Sequence, residues 1–234
     1  MSTKGLRHLL AAVQSRFRFN VWGRLRCDRH SGFYLSHSQF GEDMLLRALV
    51  GDRSGGFYVD LGAHHPVYLS NTHWFYRHGW TGMNVDGLPG AMDLFRILRP
   101  RDLNLEACLG QNDGEDVTLT IYEQVALSST RQRASTVGQK VVREVRMKTV
   151  SVASLLDEHL PSAQHIDFMS VDLEGSDEPV LRGNDWSRYR PEYLVIEQHG
   201  PYRTVLASSL FVFLRTLGYD LIGKLGPSYV LGSK

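Results

Sequence analysis

Short apolar runs alternate with helix-length stretches along this chain, and that order leaves few folds open. Residues 56–61 (GFYVDL) read as a buried strand bounded by glycine. A helix is expected over 69–78, with Leu69, Thr72, Phe75 and Tyr76 on one face. Strand 81–85 and helix 89–98 repeat the pattern, with Pro89 in the first turn, where the missing N–H costs nothing. A third strand is expected over 104–109. Residues 116–122 alternate polar and apolar, as a strand with one wet face does. Strand 146–151, helix 152–159, strand 166–173, helix 177–184, strand 193–197 and helix 206–217 follow. Residues 219–222 and 229–231 read as an antiparallel closing hairpin. Such repetition implies an α/β fold with a mostly parallel, doubly wound sheet and helices on both faces.

Ligands of these sheets bind outside the carboxyl ends of the strands. The ends here carry Asp60 with Gly62, then Asp86, then Cys108, then Asp172 with Glu174, then Glu197 with Gln198 and His199. Four of these five ends hold acids. The first turn, Asp60-Leu61-Gly62-Ala63, keeps a single glycine, Gly62, where a small residue lets the backbone approach a ligand. The glycine-rich dinucleotide fingerprint is missing, and a pyrophosphate needs those glycines at a helix N-terminus. A cofactor built on an amino acid with a positive sulfur asks for acids instead, and Asp60 supplies one. Asp86 suits a ribose diol, which donates two hydrogen bonds to one carboxylate. Its plainer alternative is a turn former before Gly87.

The bulk numbers narrow the class. The chain has 234 residues, 42% of them hydrophobic, enough for one large α/β core. A net charge of +1 gives no case for nucleic acid or for a membrane surface. No run of about 20 apolar residues spans a bilayer. Cys27 and Cys108 form neither a disulfide framework nor a zinc spacing, so a reducing, cytoplasmic setting is expected. Residues 1–36 form a basic arm in which Arg16, Arg18, Arg24 and Arg26 alternate with Phe17, Phe19, Val21 and Trp22. It reads as a helix packed on the domain or on a second copy in a homodimer, or else as a helix lying on an anionic membrane. The remaining domain covers 37–234. A polar stretch at about 125–145, with Arg131, Arg133, Lys140 and Arg143, reads as a lid, since long loops in compact domains are often functional.

Many short motifs in one order resemble the FkbM family of S-adenosylmethionine-dependent methyltransferases. They are Ser38-Gln39-Phe40-Gly41-Glu42-Asp43, the run from Gly56 through Asp60 and Gly62 to Pro66, and Ser70-Asn71-Thr72. Gly79-Trp80-Thr81-Gly82, Val85-Asp86, Pro89-Gly90 and Arg99-Pro100-Arg101-Asp102 follow. Residues 166–175 (IDFMSVDLEG), Asn184-Asp185-Trp186 and Arg190-Pro191 complete the set. The resemblance implies a class I methyltransferase Rossmann-like fold and methylation of hydroxyls on sugars or natural products. It also places Gln39 near the methionine end of the cofactor. Two departures line the cofactor mouth: His64 stands where the family often has Asn, and Gly87-Leu88 where Ala-Asn is common.

Methyl transfer to oxygen needs in-line alignment, worth about 7–11 kcal/mol, and removal of the hydroxyl proton. Asp172 and Glu197 lie at adjacent strand ends, and with Gln198 they offer oxygen ligands suited to Mg²⁺ or Mn²⁺. The alternative is that they serve loops or cofactor without metal. His199, His65 and Glu174 are the candidate bases, and His64, Tyr122 and Arg131 the candidate substrate contacts. Cofactor contacts are expected from Gln39, Asp60, Gly62, Ala63, Asp86 and Cys108, and from Ser70 near the start of a helix, where it would hold a carboxylate. His73, His78, His159 and His165 are expected on surfaces, without a role. The leading expectation is a sugar or glycoside O-methyltransferase; a natural-product O-methyltransferase and a catalytically silent adenosyl-binding module are the alternatives.

Overall fold

The computed structural model describes residues 35–123, 140–161 and 164–234. The chain divides into a unit over Met1–Ser36 and a unit over His37–Lys234; the second is described here. The basic arm and Arg131 lie outside the described residues.

A seven-stranded sheet forms the centre. Its parallel strands are β1 (Phe57–Leu61), β2 (Thr81–Asp86), β3 (Leu103–Glu106), β7 (Phe168–Val171) and β8 (Tyr193–Glu197), closed by the antiparallel pair β9 (Tyr219–Leu225) and β10 (Ser228–Ser233). The order is β3-β2-β1-β7-β8-β10-β9. This is the expected parallel sheet with its closing hairpin. The chain runs outward from β1 to β3 and then returns to pair β7 on the other side of β1. The crevice of such a sheet opens at the carboxyl ends of β1 and β7, where the order reverses. A second sheet, β4-β6-β5, is made by β4 (Cys108–Gly110), β5 (Asp116–Tyr122) and β6 (Val141–Ser151).

Strand alternation sends every second side chain to the opposite face. Val59, Leu61, Met83, Val85, Met169 and Val171 pack on one face under α4 (Val152–His159), α5 (Asp177–Arg182) and α7 (Ser209–Thr216). Tyr58, Phe168, Val195 and Val230 pack on the other with α1 (Glu42–Val50) and α2 (His73–Arg77). The third and sixth helices, α3 (Met92–Leu98) and α6 (Tyr202–Leu206), complete the set described.

Several elements differ from expectation, each for a local reason. The helix expected over 69–78 begins only at His73, because Leu69 takes a left-handed φ of 53° and Ser70 uses its hydroxyl to receive the His73 N–H. The third strand ends at Glu106. Ala107 turns its N–H to the Asp86 carbonyl, and Cys108 starts a new strand paired with β6 in the second sheet. The strand expected from 146 starts at Val141, its partner β5 holding it in register from Tyr122. Residues 141–145 are therefore strand and not lid; 124–139 lie outside the described residues. The helix expected over 206–217 starts only at Ser209, as α7, and a separate short helix, α6, ends at Leu206 ahead of it.

Candidate active site

The carboxyl ends of the five parallel strands carry an acid at every position: Asp60, Asp86, Glu106, Asp172 and Glu197. Shortening β3 replaces Cys108 by Glu106 at its strand end. Cys108 is instead buried in β4, where desolvation raises its thiol above the ordinary value.

Asp60 does not face the crevice as a bare carboxylate. It shares a row with Asn104, Asn84 and Ser170 across four strands in register. Alternation turns this row toward the face that carries Tyr58, and there it meets Arg99, which is fully buried. All five N–H groups of that guanidinium are used. Nε and Nη2 donate to the Pro66 carbonyl at 2.9 and 2.6 Å, Nη2 to Ser70 Oγ at 2.7 Å, and Nη1 to Thr72 Oγ1 at 2.7 Å and Asn84 Oδ1 at 3.2 Å. The Thr72 hydroxyl in turn donates to Asp60 Oδ2 at 2.8 Å. Asp102 lies 3.9 Å from Arg99 and accepts from Tyr58, Gly82 and Asn84. Burial raises both Asp60 and Asp102 above the usual carboxylate range, and the Arg99 charge opposes the shift. The network fixes the loop 65–72 that leaves the first strand. Ser70, expected at a cofactor carboxylate, is 2% exposed and belongs to this network. Arg99 appeared in the sequence only as part of an Arg-Pro-Arg-Asp run without an assigned role; the hydrogen-bond acceptors of its guanidinium lie 15 to 33 residues away, and no local pattern points to them.

Gly62 has a sharper reason than ligand approach. Its φ is +83°, and a Cβ there would lie 1.8 Å from the Asp172 carbonyl oxygen. The strand ends of β1 and β7 close against each other at this point, with the Asp172 N–H bonded to Leu61 O at 2.9 Å. Gly62 and Ala63 both donate to Val85 O, which holds the turn over β2. His64 adopts φ +51°. Asn and His are among the residues that tolerate this region, which accounts for His at a position where Asn is common.

Asp86 accepts the His64 N–H at 3.0 Å on Oδ2 and the Leu88 N–H at 2.8 Å on Oδ1. One lone pair per oxygen is left for a vicinal diol. Burial raises its pKa, and the two backbone donors pull it back. α2 starts at His73, well beyond the turn, so no helix N-terminus follows β1 directly to receive a diphosphate. The donor set fits the ribose of an adenosyl cofactor better than a dinucleotide.

At the ends of β7 and β8, the Asp172 carboxyl hydrogen-bonds Glu197. Burial, then this partner, push Asp172 well above the carboxylate range. Two carboxyls in hydrogen-bond contact disfavour ionising together. His199 Nε2 lies 3.0 Å from Glu197 Oε1 and is exposed. Glu174 follows on a left-handed φ of 52°. Gln198 turns its amide nitrogen to Asp177 Oδ2 at 3.2 Å.

His65 is fixed differently from expectation. Its Nδ1 accepts the Val67 and Tyr68 N–H groups, both at 3.0 Å, which places the ring proton on Nε2. Burial and neighbouring positive charge lower its pKa to about 4. Such a ring donates a hydrogen bond and does not serve as a neutral-pH base. His73, expected on a surface, is 8% exposed. Tyr122 is buried at the end of β5. Gln39 is exposed on the segment held by Asp43, which accepts the His37 N–H and the Ser38 hydroxyl. The group of acids and histidine near enough to share one ion among the described residues is His165, Asp167 and Glu192, at the opposite, amino ends of β7 and β8. There Arg53 already bonds both acids.

Sheet order, strand direction and the acid-lined crevice define a class I methyltransferase Rossmann-like fold. The methyltransferase FkbM domain matches residues 60–221, well over half of the chain, and the chain belongs to the FkbM methyltransferase family. Among solved structures, a methyltransferase FkbM from Methylobacillus flagellatus KT superposes with a TM-score of 0.52 at 12% identity, covering 83% of this chain and 48% of that one. The chain thus spans about half the length of that protein. A TehB-like SAM-dependent methyltransferase from Corynebacterium glutamicum ATCC 13032 Kitasato matches with TM-score 0.42 and 11% identity, over 95% of this chain and 100% of that one. A precorrin-6y C5,15-methyltransferase from Geobacter metallireducens GS-15 gives 0.43 and 12%, over 81% and 86%. No curated protein matches. Among the described residues no helix is long and apolar enough to cross a membrane.

Proposed function

We propose that the chain is an S-adenosylmethionine-dependent O-methyltransferase acting on a hydroxyl of a sugar or glycoside. The observation that carries this reading is the hydrogen-bonded carboxyl pair Asp172–Glu197 at the strand ends, where burial, then this partner, hold Asp172 above the carboxylate range. Bound there, the cofactor supplies a methyl carbon on a positive sulfur. Asp86 would hold its ribose, through the one lone pair left on each oxygen. Gly62 and Ala63 shape the turn beneath it, and Asp60 acts through Thr72 and Arg99 by fixing the loop after β1.

A sugar hydroxyl is a weak acid, so its proton must leave as the new carbon–oxygen bond forms. A carboxylate with a raised pKa is matched to that task near neutral pH. Asp172 and Glu197 receive the proton, and His199, 3.0 Å from Glu197 and exposed, passes it to solvent. His65 Nε2–H and His64 are left as donors toward the acceptor. A positioned base contributes about 10²–10⁴-fold.

A divalent ion is the other tenant two neighbouring carboxylates accept, and it would have to displace the hydrogen bond between Asp172 and Glu197. A methyl-donor assay over a panel of mono- and oligosaccharides tests the reading. Asp172→Asn and Glu197→Gln should each lower kcat by about 10²–10⁴ while binding of the demethylated cofactor persists. Full turnover in both variants would refute the assignment, and loss of turnover in exhaustive EDTA would restore the metal.

A further inference from the structure

The carboxyl pair has a neighbour on the side away from Asp86. Along the sheet, Asp86 ends β2, Asp172 and Glu197 follow the ends of β7 and β8, and the β9–β10 turn comes one strand further. Strands lie about 4.8 Å apart, so this turn is roughly 19 Å from Asp86, with the two acids in between. Ser228 of β10 stands in register with Glu197 of β8, and directly opposed residues share one face of a sheet. The Gln198 N–H holds the turn by the Pro227 carbonyl at 3.0 Å.

Residues 38–42 are clipped to that turn. Ser228 Oγ donates to the buried Glu42 Oε1 at 2.6 Å, and the Phe40 N–H donates to Glu42 Oε2 at 2.8 Å. The Phe40 ring lies on Gly226, where a Cβ would fall 2.6–2.8 Å from Cγ, Cδ1 and Cδ2 of that ring. Ring atoms at nearly one distance mean that the ring rests on the glycine by its face. Gly226 also has φ +55°, a conformation that favours glycine. One face of Phe40 is thus spent on the turn, yet the residue is 45% exposed. A lone surface aromatic needs no explanation. This one is fixed from behind by a glycine and a buried hydrogen bond, which makes it a platform with its other face open.

The chemistry of the platform defines what it takes. An aromatic face is electron-rich. It meets the polarised C–H groups on one face of a pyranose, while the hydroxyls of that ring stay at its edge. With the cofactor ribose at β2 and the acceptor hydroxyl at Asp172 and Glu197, the body of the acceptor is left with the β8–β10 side. We infer that Phe40 binds the acceptor, stacking on the C–H face of a pyranose ring beside Glu197. The inference rests on the proposed methyl transfer and names the residue that holds the acceptor ring, with Glu42 and Ser228 positioning it. In the sequence Phe40 stood inside the Ser38–Asp43 motif without a role, because Gly226 and Ser228 lie at the other end of the chain.

The test uses the full chain with the demethylated cofactor, S-adenosylhomocysteine, at saturation. Methyl glucoside, methyl mannoside and methyl galactoside are the probes, read by titration and saturation-transfer NMR. Sorbitol is the polyol without a ring face, and phenyl glucoside carries an aromatic aglycone. At least one methyl glycoside should bind, with transfer strongest at the C–H protons of one ring face, and sorbitol should not. Phe40→Leu keeps apolar bulk on Gly226 but no aromatic face. It should weaken the glycoside about five- to tenfold and leave S-adenosylhomocysteine affinity and thermal midpoint unchanged; Phe40→Trp should keep binding within about twofold of the parent. A Phe40→Leu variant that binds glycoside like the parent, or that loses S-adenosylhomocysteine by the same factor, would overturn the inference. So would sorbitol binding as well as the glycosides, phenyl glucoside binding alone, or cofactor binding without any glycoside binding. Failure to bind S-adenosylhomocysteine at all would instead overturn the methyltransferase reading.

Discussion

Acid should destabilise this domain through His73, by an amount the structure fixes. The ring is buried against the loop after β1, edge-on to His37 at 4.5 Å, with Nδ1 buried and unpartnered and with a hydrogen bond to the Pro66 carbonyl. Burial, then Arg99, His37 and Arg77, lower its pKa from 6.5 to about 3. A histidine whose folded pKa is depressed resists protonation only when folded. Its stability contribution is therefore complete above the unfolded value and is lost as pH falls below 6.5 toward 3. Between pH 7 and pH 5 the unfolded chain takes up nearly one proton that the folded chain refuses. Integrated, that costs about 2 kcal/mol. Because pH 5 still lies well above the folded value, the loss is set by the unfolded-state titration. For a domain of this size it lowers Tm by about 4–8 °C. His65, at about 4, and His37, also lowered, titrate in the same window, so the test is a difference. His73→Phe keeps a ring against His37, and Pro66 O keeps both Arg99 donors. Urea titrations at pH 7 and pH 5 should show the parent losing about 2 kcal/mol more than the variant. Equal losses in the two proteins would refute the argument.

Gly62→Ala should cost about 3 kcal/mol or more, from left-handed strain together with overlap on the Asp172 carbonyl; urea unfolding checks it, and a loss below about 1 kcal/mol would contradict the closure of β1 on β7. Arg99→Met should destabilise by about 3–5 kcal/mol, because it leaves Asp60 and Asp102 buried without a counter-charge. The loss should shrink as pH falls through the range above the ordinary carboxylate value where both raised acids become protonated; a pH-independent loss would mean that packing alone is at work. Turnover should rise with pH as Asp172, held above the carboxylate range chiefly by burial, ionises, and the rise should disappear in Asp172→Asn, as read from kcat against pH.

The fold was legible because apolar runs and their terminal acids repeat in order, and Asp86, Asp172 and Glu197 do stand at strand ends. What escaped were features set by distant contacts. Asp60 and Ser70 look like cofactor residues until the pleat turns Asp60 onto the Arg99 face and the left-handed Leu69 hands Ser70 to the same guanidinium. Gly62 was read as making room for a ligand, whereas the neighbouring strand needs that room. His65 looked like a base because sequence does not reveal that two backbone N–H groups already occupy Nδ1. Cys108 moved to another sheet through one residue, Ala107, with nothing in its side chain to mark a break.

The central claim is that acids at the carboxyl ends of the sheet bind S-adenosylmethionine, with Asp86 on the ribose. Calorimetric titration of S-adenosylmethionine and S-adenosylhomocysteine into the parent and into Asp86→Ala tests it most directly. The parent should bind both, and the variant should bind them about 10–100-fold more weakly, as expected for losing hydrogen bonds to a charged group. No heat of binding from either compound, or equal affinity in Asp86→Ala, would contradict it.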